Sequence, residues 1–206
     1  MNGKVADQLA AADAAAKASP SAASSVKAVQ GCPFAGIALE GSDAFKEKTQ
    51  AALKEIAATP SGAAMLAALK DSGKTVTIKE TSDGNGCNGF TDDAMTKDGK
   101  PGTGSNSTVL FNPERKSIGS EPWETRPPAV GLGHELVHAT HAAKGEVDLK
   151  KVDNDSKPDP SDPRKTAQEL AEEVRTAGVP PYDKEPYSEN KLRDEWTPKQ
   201  PARAWY

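Results

Sequence analysis

All three histidines of this 206-residue chain fall within one run of eight: His134-Glu135-Leu136-Val137-His138-Ala139-Thr140-His141. Pro127-Pro128 stands before the run and Gly145 closes it, which predicts a helix over 129–144. Residues four apart share one helical face, a turn above each other, so the imidazoles of His134 and His138 can converge on a single ion. Glu135 lies about 100° further round the axis, where its carboxylate reaches a water on that ion without displacing it. His-Glu-x-x-His is thus the spacing at which zinc acidifies a water and a glutamate takes its proton. The plainer alternative is a surface helix with three unrelated histidines. Leu136, Val137 and Ala142 argue against it, because they give the segment a side to bury.

A catalytic zinc keeps three protein ligands and one open position. No histidine lies outside this helix, and His141, seven residues after His134, stands about 10 Å along the axis at 1.5 Å per residue. That is too far to share the ion, so His141 reads as a structural or supporting residue. The third ligand is therefore expected to be a carboxylate from elsewhere, and Leu170-Ala171-Glu172-Glu173-Val174-Arg175-Thr176-Ala177-Gly178 supplies the best candidates. Adjacent helical residues diverge by about 100°, so one of the two glutamates aims at the metal, and spacing alone does not choose between them.

The rest of the composition narrows the setting. Lys and Arg number 26 against 30 Asp and Glu, a net charge of −4, which lacks the basic footprint of a nucleic-acid binder. No apolar run approaches the roughly 18 to 20 residues of a membrane span. Two cysteines, Cys32 and Cys87, cannot build a disulfide framework. Residues 1–31 are rich in Ala and Ser with only scattered Val and Leu, so they are expected to form a flexible arm rather than a cleavable signal peptide. The folded domain is expected over residues 32–206.

Within it, Ser42 reads as the cap of a helix carrying Phe45, Thr49, Ala52, Leu53 and Ile56, and a second helix covers Gly62–Lys70. Thr75–Glu80 and Thr108–Phe111 alternate as strands, the latter a candidate exposed edge for an extended peptide. Residues 82–106 form a long loop with room for a short ribbon, and residues 146–163 a solvated loop. Arg164–Thr176 is predicted helical, Glu189–Trp196 a short helix, and Thr197–Tyr206 an extended tail. Trp123, Trp196 and Trp205 are candidates for lining a cleft or anchoring the core.

The order of motifs resembles a known family. His134–His141, then Glu172-Glu173-Val174-Arg175-Thr176-Ala177-Gly178, then Glu189-Asn190-Lys191-Leu192-Arg193 and a closing Arg203-x-x-Tyr206 look like the NleD-type effector peptidases. These zinc endopeptidases are injected by bacterial secretion systems, and related domains tip polymorphic toxins. The same order is similar to the light chains of botulinum and tetanus neurotoxins. The resemblance implies an α+β, small zincin-like (gluzincin-type) domain with a short mixed sheet and an active-site helix. It implies one catalytic zinc on His134, His138 and Glu173, with Glu135 as general base and Glu172 outward or supporting. Arg203 and Tyr206 become electrophilic helpers near the oxyanion, and Arg175 and Thr176 orient the ligand. It further implies a protein substrate in a host or competitor cell, delivery without a cleavable signal, and a secretion chaperone or immunity protein as partner. The competing reading is a non-catalytic binding module with a structural zinc, closed by Cys32 or Cys87.

Overall fold

The computed structural model describes residues 32–159 and 161–206; the arm expected over residues 1–31 lies outside the described residues. Strand β1 (Ile37–Glu40) leads through Gly41 into helix α1 (Asp43–Ala57), whose first turn is closed by the Ser42 hydroxyl accepting from Phe45 N at 3.2 Å. Phe45, Thr49, Ala52, Leu53 and Ile56 form its buried face, as their spacing predicts. Thr59 caps helix α2 (Pro60–Asp71), with Pro60 at its first position and Met65, Leu66 and Leu69 buried.

β2 (Val76–Glu80) pairs in parallel with β1 on one side and with β4 (Ser107–Phe111) on the other. The short β3 (Gly86–Asn88) then adds antiparallel to β4, giving a mixed sheet in the order β1-β2-β4-β3. This corrects one expectation: Thr108–Phe111 lies between β2 and β3 and is no edge. The edge beside it is Gly86-Cys87-Asn88, a sequence with little strand preference that is recruited by its neighbour's backbone.

Helix α3 (Pro128–Lys144) carries the histidines and is buried from Ala129 to Ala143. It touches α1, α2, β3 and β4, so it runs through the middle of the molecule rather than over its surface. Small residues allow this. A Cβ on Gly133 would stand 2.5 Å from Leu192 Cδ1. Gly145 ends the helix at φ +74°, its N–H returning to Ala142 O at 3.2 Å.

The following segment departs from the sequence reading. In place of a loop and a long helix, β5 (Lys151–Asp159) and β6 (Asp162–Leu170) form an antiparallel ribbon, and helix α4 spans only Ala171–Ala177. The ribbon has no continuous apolar face to betray it, being held by pairing with itself and by Val152, which packs against Val174, Ala177 and Val179. Helix α5 (Glu189–Glu195) is capped by the Ser188 hydroxyl, which accepts from Lys191 N at 3.2 Å. The chain then runs back, extended, towards the histidines. Among the described residues no helix is long and apolar enough to cross a membrane.

Candidate active site

One turn of α3 and the first turn of α4 meet at the bottom of a cleft. His134 Nε2 and His138 Nε2 are 3.3 Å apart, and Glu173 Oε2 lies 3.1 Å from the latter and 3.9 Å from the former. Ligand atoms at 2.0 to 2.1 Å from a tetrahedral zinc are separated by about 3.4 Å, so the three atoms stand close to the required triangle. All three residues are buried, and Glu173 Oε2 has no hydrogen-bond partner. A buried carboxylate oxygen left without a donor is costly unless a cation faces it. The donor set fits zinc.

The other ends of both imidazoles are held by acids. His138 Nδ1 meets Glu172 Oε1 at 2.8 Å, and the same oxygen takes His141 Nδ1 at 2.9 Å. His134 Nδ1 lies 2.8 Å from Glu189 Oε2. Carboxylates behind ligating histidines fix the ring orientation and make the ring a better donor. Glu172 therefore faces inward, 4 % exposed, which excludes the outward alternative, and fully buried His141 is its second partner. Thr176 Oγ1 also donates towards Glu172 Oε1, at 3.3 Å. Arg175, by contrast, turns away from the ligands to pair with Glu146 and Glu185, tying α4 to the end of α3 and to the segment before α5.

Burial alone would keep both rings neutral. It prevails at His134, whose basicity is lowered, but at His138 the carboxylates of Glu173 and Glu172 overrule it and raise the pKa well above the usual range. Burial works to raise Glu172 as well, yet His141 and His138 bring it down to about 2.

Glu189 is the residue whose importance sequence reasoning missed. Fully buried at the start of α5, it receives Arg126 Nη1 at 2.6 Å, Arg193 Nη2 at 2.7 Å and Arg203 Nη1 at 3.0 Å. Burial would push its carboxyl up, but Arg126, His134 and Arg203 hold it well below the ordinary range. Two signals pointed at it, the one-turn spacing of Glu189 and Arg193 and the place of that string in the family's motif order, but neither named its partners.

Through this acid the tail is fixed over the triangle of His134, His138 and Glu173. The Arg203 guanidinium lies 4.2 Å from the Tyr206 ring centre and 5.3 Å from that of Trp123. The Tyr206 ring stacks on His134, centres 5.8 Å apart and 13° from parallel, and its hydroxyl hydrogen-bonds to Glu173. Burial, followed by the Glu173 charge, raises the Tyr206 pKa well above normal, so the hydroxyl remains a donor. Glu135 lines the cleft together with His138, Glu172, Glu173 and Tyr206.

No tryptophan lines this cleft: Trp123 and Trp196 are buried, and Trp205 meets Trp123 edge to face. Cys32 and Cys87 are free thiols, and neither joins the ligand cluster found among the described residues. A cysteine-closed structural site therefore has no support in the geometry.

With the ligand triangle in place, the family comparison becomes decisive: the model of the Peptidase M91 family, described as effector protein, matches residues 35–204. The chain belongs to the M91 peptidase family. That family is the NleD-type effector family, and the fold is α+β. None of the curated proteins matches the M91 chain. Among solved structures it is similar to the Clostridium botulinum neurotoxin serotype F light chain (19 % identity, TM-score 0.47, 65 % of this chain and 44 % of that one). The catalytic domain of the same serotype is also similar (19 % identity, TM-score 0.40, 52 % and 38 %). The M91 chain thus spans less than half the length of those neurotoxin chains.

Proposed function

We propose that this chain is a zinc-dependent endopeptidase, delivered by a secretion system into a target cell, where it cleaves proteins. The observation that carries the reading is the triangle of His134 Nε2, His138 Nε2 and Glu173 Oε2, whose atoms lie within 4.8 Å of one another beside Glu135. His134, His138 and Glu173 would hold one zinc ion, which supplies an acidified water and polarises the scissile carbonyl.

The chain's own residues perform the remaining steps. Glu135, on the cleft wall, accepts the proton of the attacking water and delivers it to the departing amine. Negative charge developing on the carbonyl oxygen is met by Arg203 and by the Tyr206 hydroxyl, both preoriented before substrate arrives. Glu172 and Glu189 act as positioning residues, each through the imidazole it touches. The substrate lies extended along the free edge of β3, adding main-chain hydrogen bonds there.

The test is Glu135→Ala. The variant should bind about one zinc per chain and cleave nothing, whereas wild-type turnover in that variant overturns the general-base assignment. Comparing new protein N-termini in cells exposed to either form identifies the substrate.

A further inference from the structure

Leu149 is the one large apolar residue that is markedly exposed, at 44 %, among the described residues, and it lines the catalytic cleft. A lone exposed leucine ordinarily calls for no explanation. This one differs because its backbone is held on both sides. Val147 N donates to Ala94 O at 3.0 Å and Val147 O accepts from Thr96 N at 2.9 Å. Asp148 O accepts from Glu172 N at 2.9 Å, and Lys150 O from Ala171 N at 2.8 Å. The segment that presents Leu149 is thus also the segment that seats the first turn of α4, where Glu173 stands.

Around it the cleft wall continues apolar through Phe90, Leu110, Val147 and Leu170. Val147 is buried and packs with Phe90 in a small cluster beneath, so the wall has a solid backing. The cavity measures about 230 Å³, below the roughly 300 to 1,000 Å³ of sites that engulf a whole small molecule, which suits one side chain of a longer ligand. Its charged lining residues are Glu135, Glu172 and Glu173, with no Lys or Arg among them. On the wall beside Leu149 an acidic side chain would meet no Lys or Arg to pair with.

We infer that Phe90, Val147, Leu149 and Leu170 form a specificity subsite that takes a large apolar side chain of the substrate next to the scissile bond. The inference rests on the endopeptidase reading. Glu135 lines the same cavity, so a side chain seated against Leu149 belongs to a residue flanking the bond that Glu135 serves. Acidic residues are disfavoured at that position, because no Lys or Arg lines the wall to pair with them.

The test uses the zinc-loaded wild-type chain and its Leu149→Lys and Leu149→Ala variants on a randomised peptide library, with cleavage sites read by mass spectrometry. The wild type should favour Leu, Met or Phe over Asp and Glu by about tenfold or more at one position flanking the cut, the scale of discrimination that hydrophobic pockets deliver. Leu149→Lys should shift that position towards Asp and Glu, and Leu149→Ala should flatten it, with zinc content unchanged in both. Should the lysine variant fail to fold, the alanine variant carries the comparison. Cleavage by the wild type without an apolar preference, or a preference untouched by both substitutions, overturns the subsite while leaving the peptidase reading intact. No cleavage of any library member by the zinc-loaded wild type overturns both.

Discussion

Asn190 grips the backbone of Arg203 from both sides: its Oδ1 accepts from Arg203 N at 2.6 Å and its Nδ2 donates to Arg203 O at 3.0 Å. Arg193 adds a third hold, donating to Pro201 O at 2.8 Å. The Glu189-Asn190-Lys191-Leu192-Arg193 string therefore serves as the clamp that presents Arg203 and Tyr206.

Asn190→Ala should accordingly separate metal binding from turnover. Two hydrogen bonds are lost at about 1 kcal/mol each, which loosens the seat of Arg203 while Glu189 and Arg193 still hold the tail in place. Zinc content is expected to stay at the wild-type level while kcat falls about tenfold or more. Measuring both on one preparation decides it, and loss of zinc along with activity would show that the tail is structural instead.

Glu189→Ala should be far more damaging than any substitution on the surface. It leaves Arg126, Arg193 and Arg203 buried around an absent anion, and breaking a buried ion pair in this way costs about 3 to 5 kcal/mol. Thermal unfolding of the metal-free chain reads that loss. Glu189→Gln, which keeps the shape but not the charge, should lose somewhat less stability, and the folded fraction should bind zinc about 10- to 100-fold more weakly through the His134 ring it no longer orients.

Zinc affinity should depend steeply on pH. In the metal-free chain the pKa of His138 is raised, so a proton occupies the site that the metal needs. The sign follows from competition: lowering the pH favours the proton, and raising it through the elevated His138 pKa favours zinc. Below that pKa the affinity should fall about tenfold per pH unit, one proton being released for each ion bound. Chelator competition at several pH values measures the slope, and a flat profile would contradict the assignment.

Gly145→Ala should lower stability by about 2 kcal/mol or more, because the residue sits at φ +74° and its Cβ would stand 2.3 Å from Gly102 O. Denaturant titration checks this. The same variant displaces the segment leading to Leu149, so residual folded protein should also cleave less.

How much of this was legible in the sequence depended on range. The His134–His138 pair is an i, i+4 relation on one helix and could be read directly. Spacing could not choose between Glu172 and Glu173, since neighbours on a helix differ only in direction, which is set by how α4 packs against α3; the family resemblance alone pointed to Glu173. Glu189 was less legible still, because its partners Arg126 and Arg203 lie 63 and 14 residues away. The ribbon of β5 and β6 escaped because charged residues line it where a strand ordinarily shows alternate apolar ones. The edge was misplaced for the converse reason. Thr108–Phe111 has the alternation of a strand, but alternation says nothing about whether both flanks are occupied, and Gly86-Cys87-Asn88 has no such pattern.

The brevity of β3 has a consequence for what can be attacked. Three residues of free rim offer main-chain partners to only a few amides, and only to a stretch that has already surrendered its own helix or sheet bonds. On the proposed endopeptidase reading, intact secondary structure would protect a target protein, and exposed loops and unstructured linkers would be the vulnerable stretches. Choice among those falls to the side chains that such a loop can press into the groove.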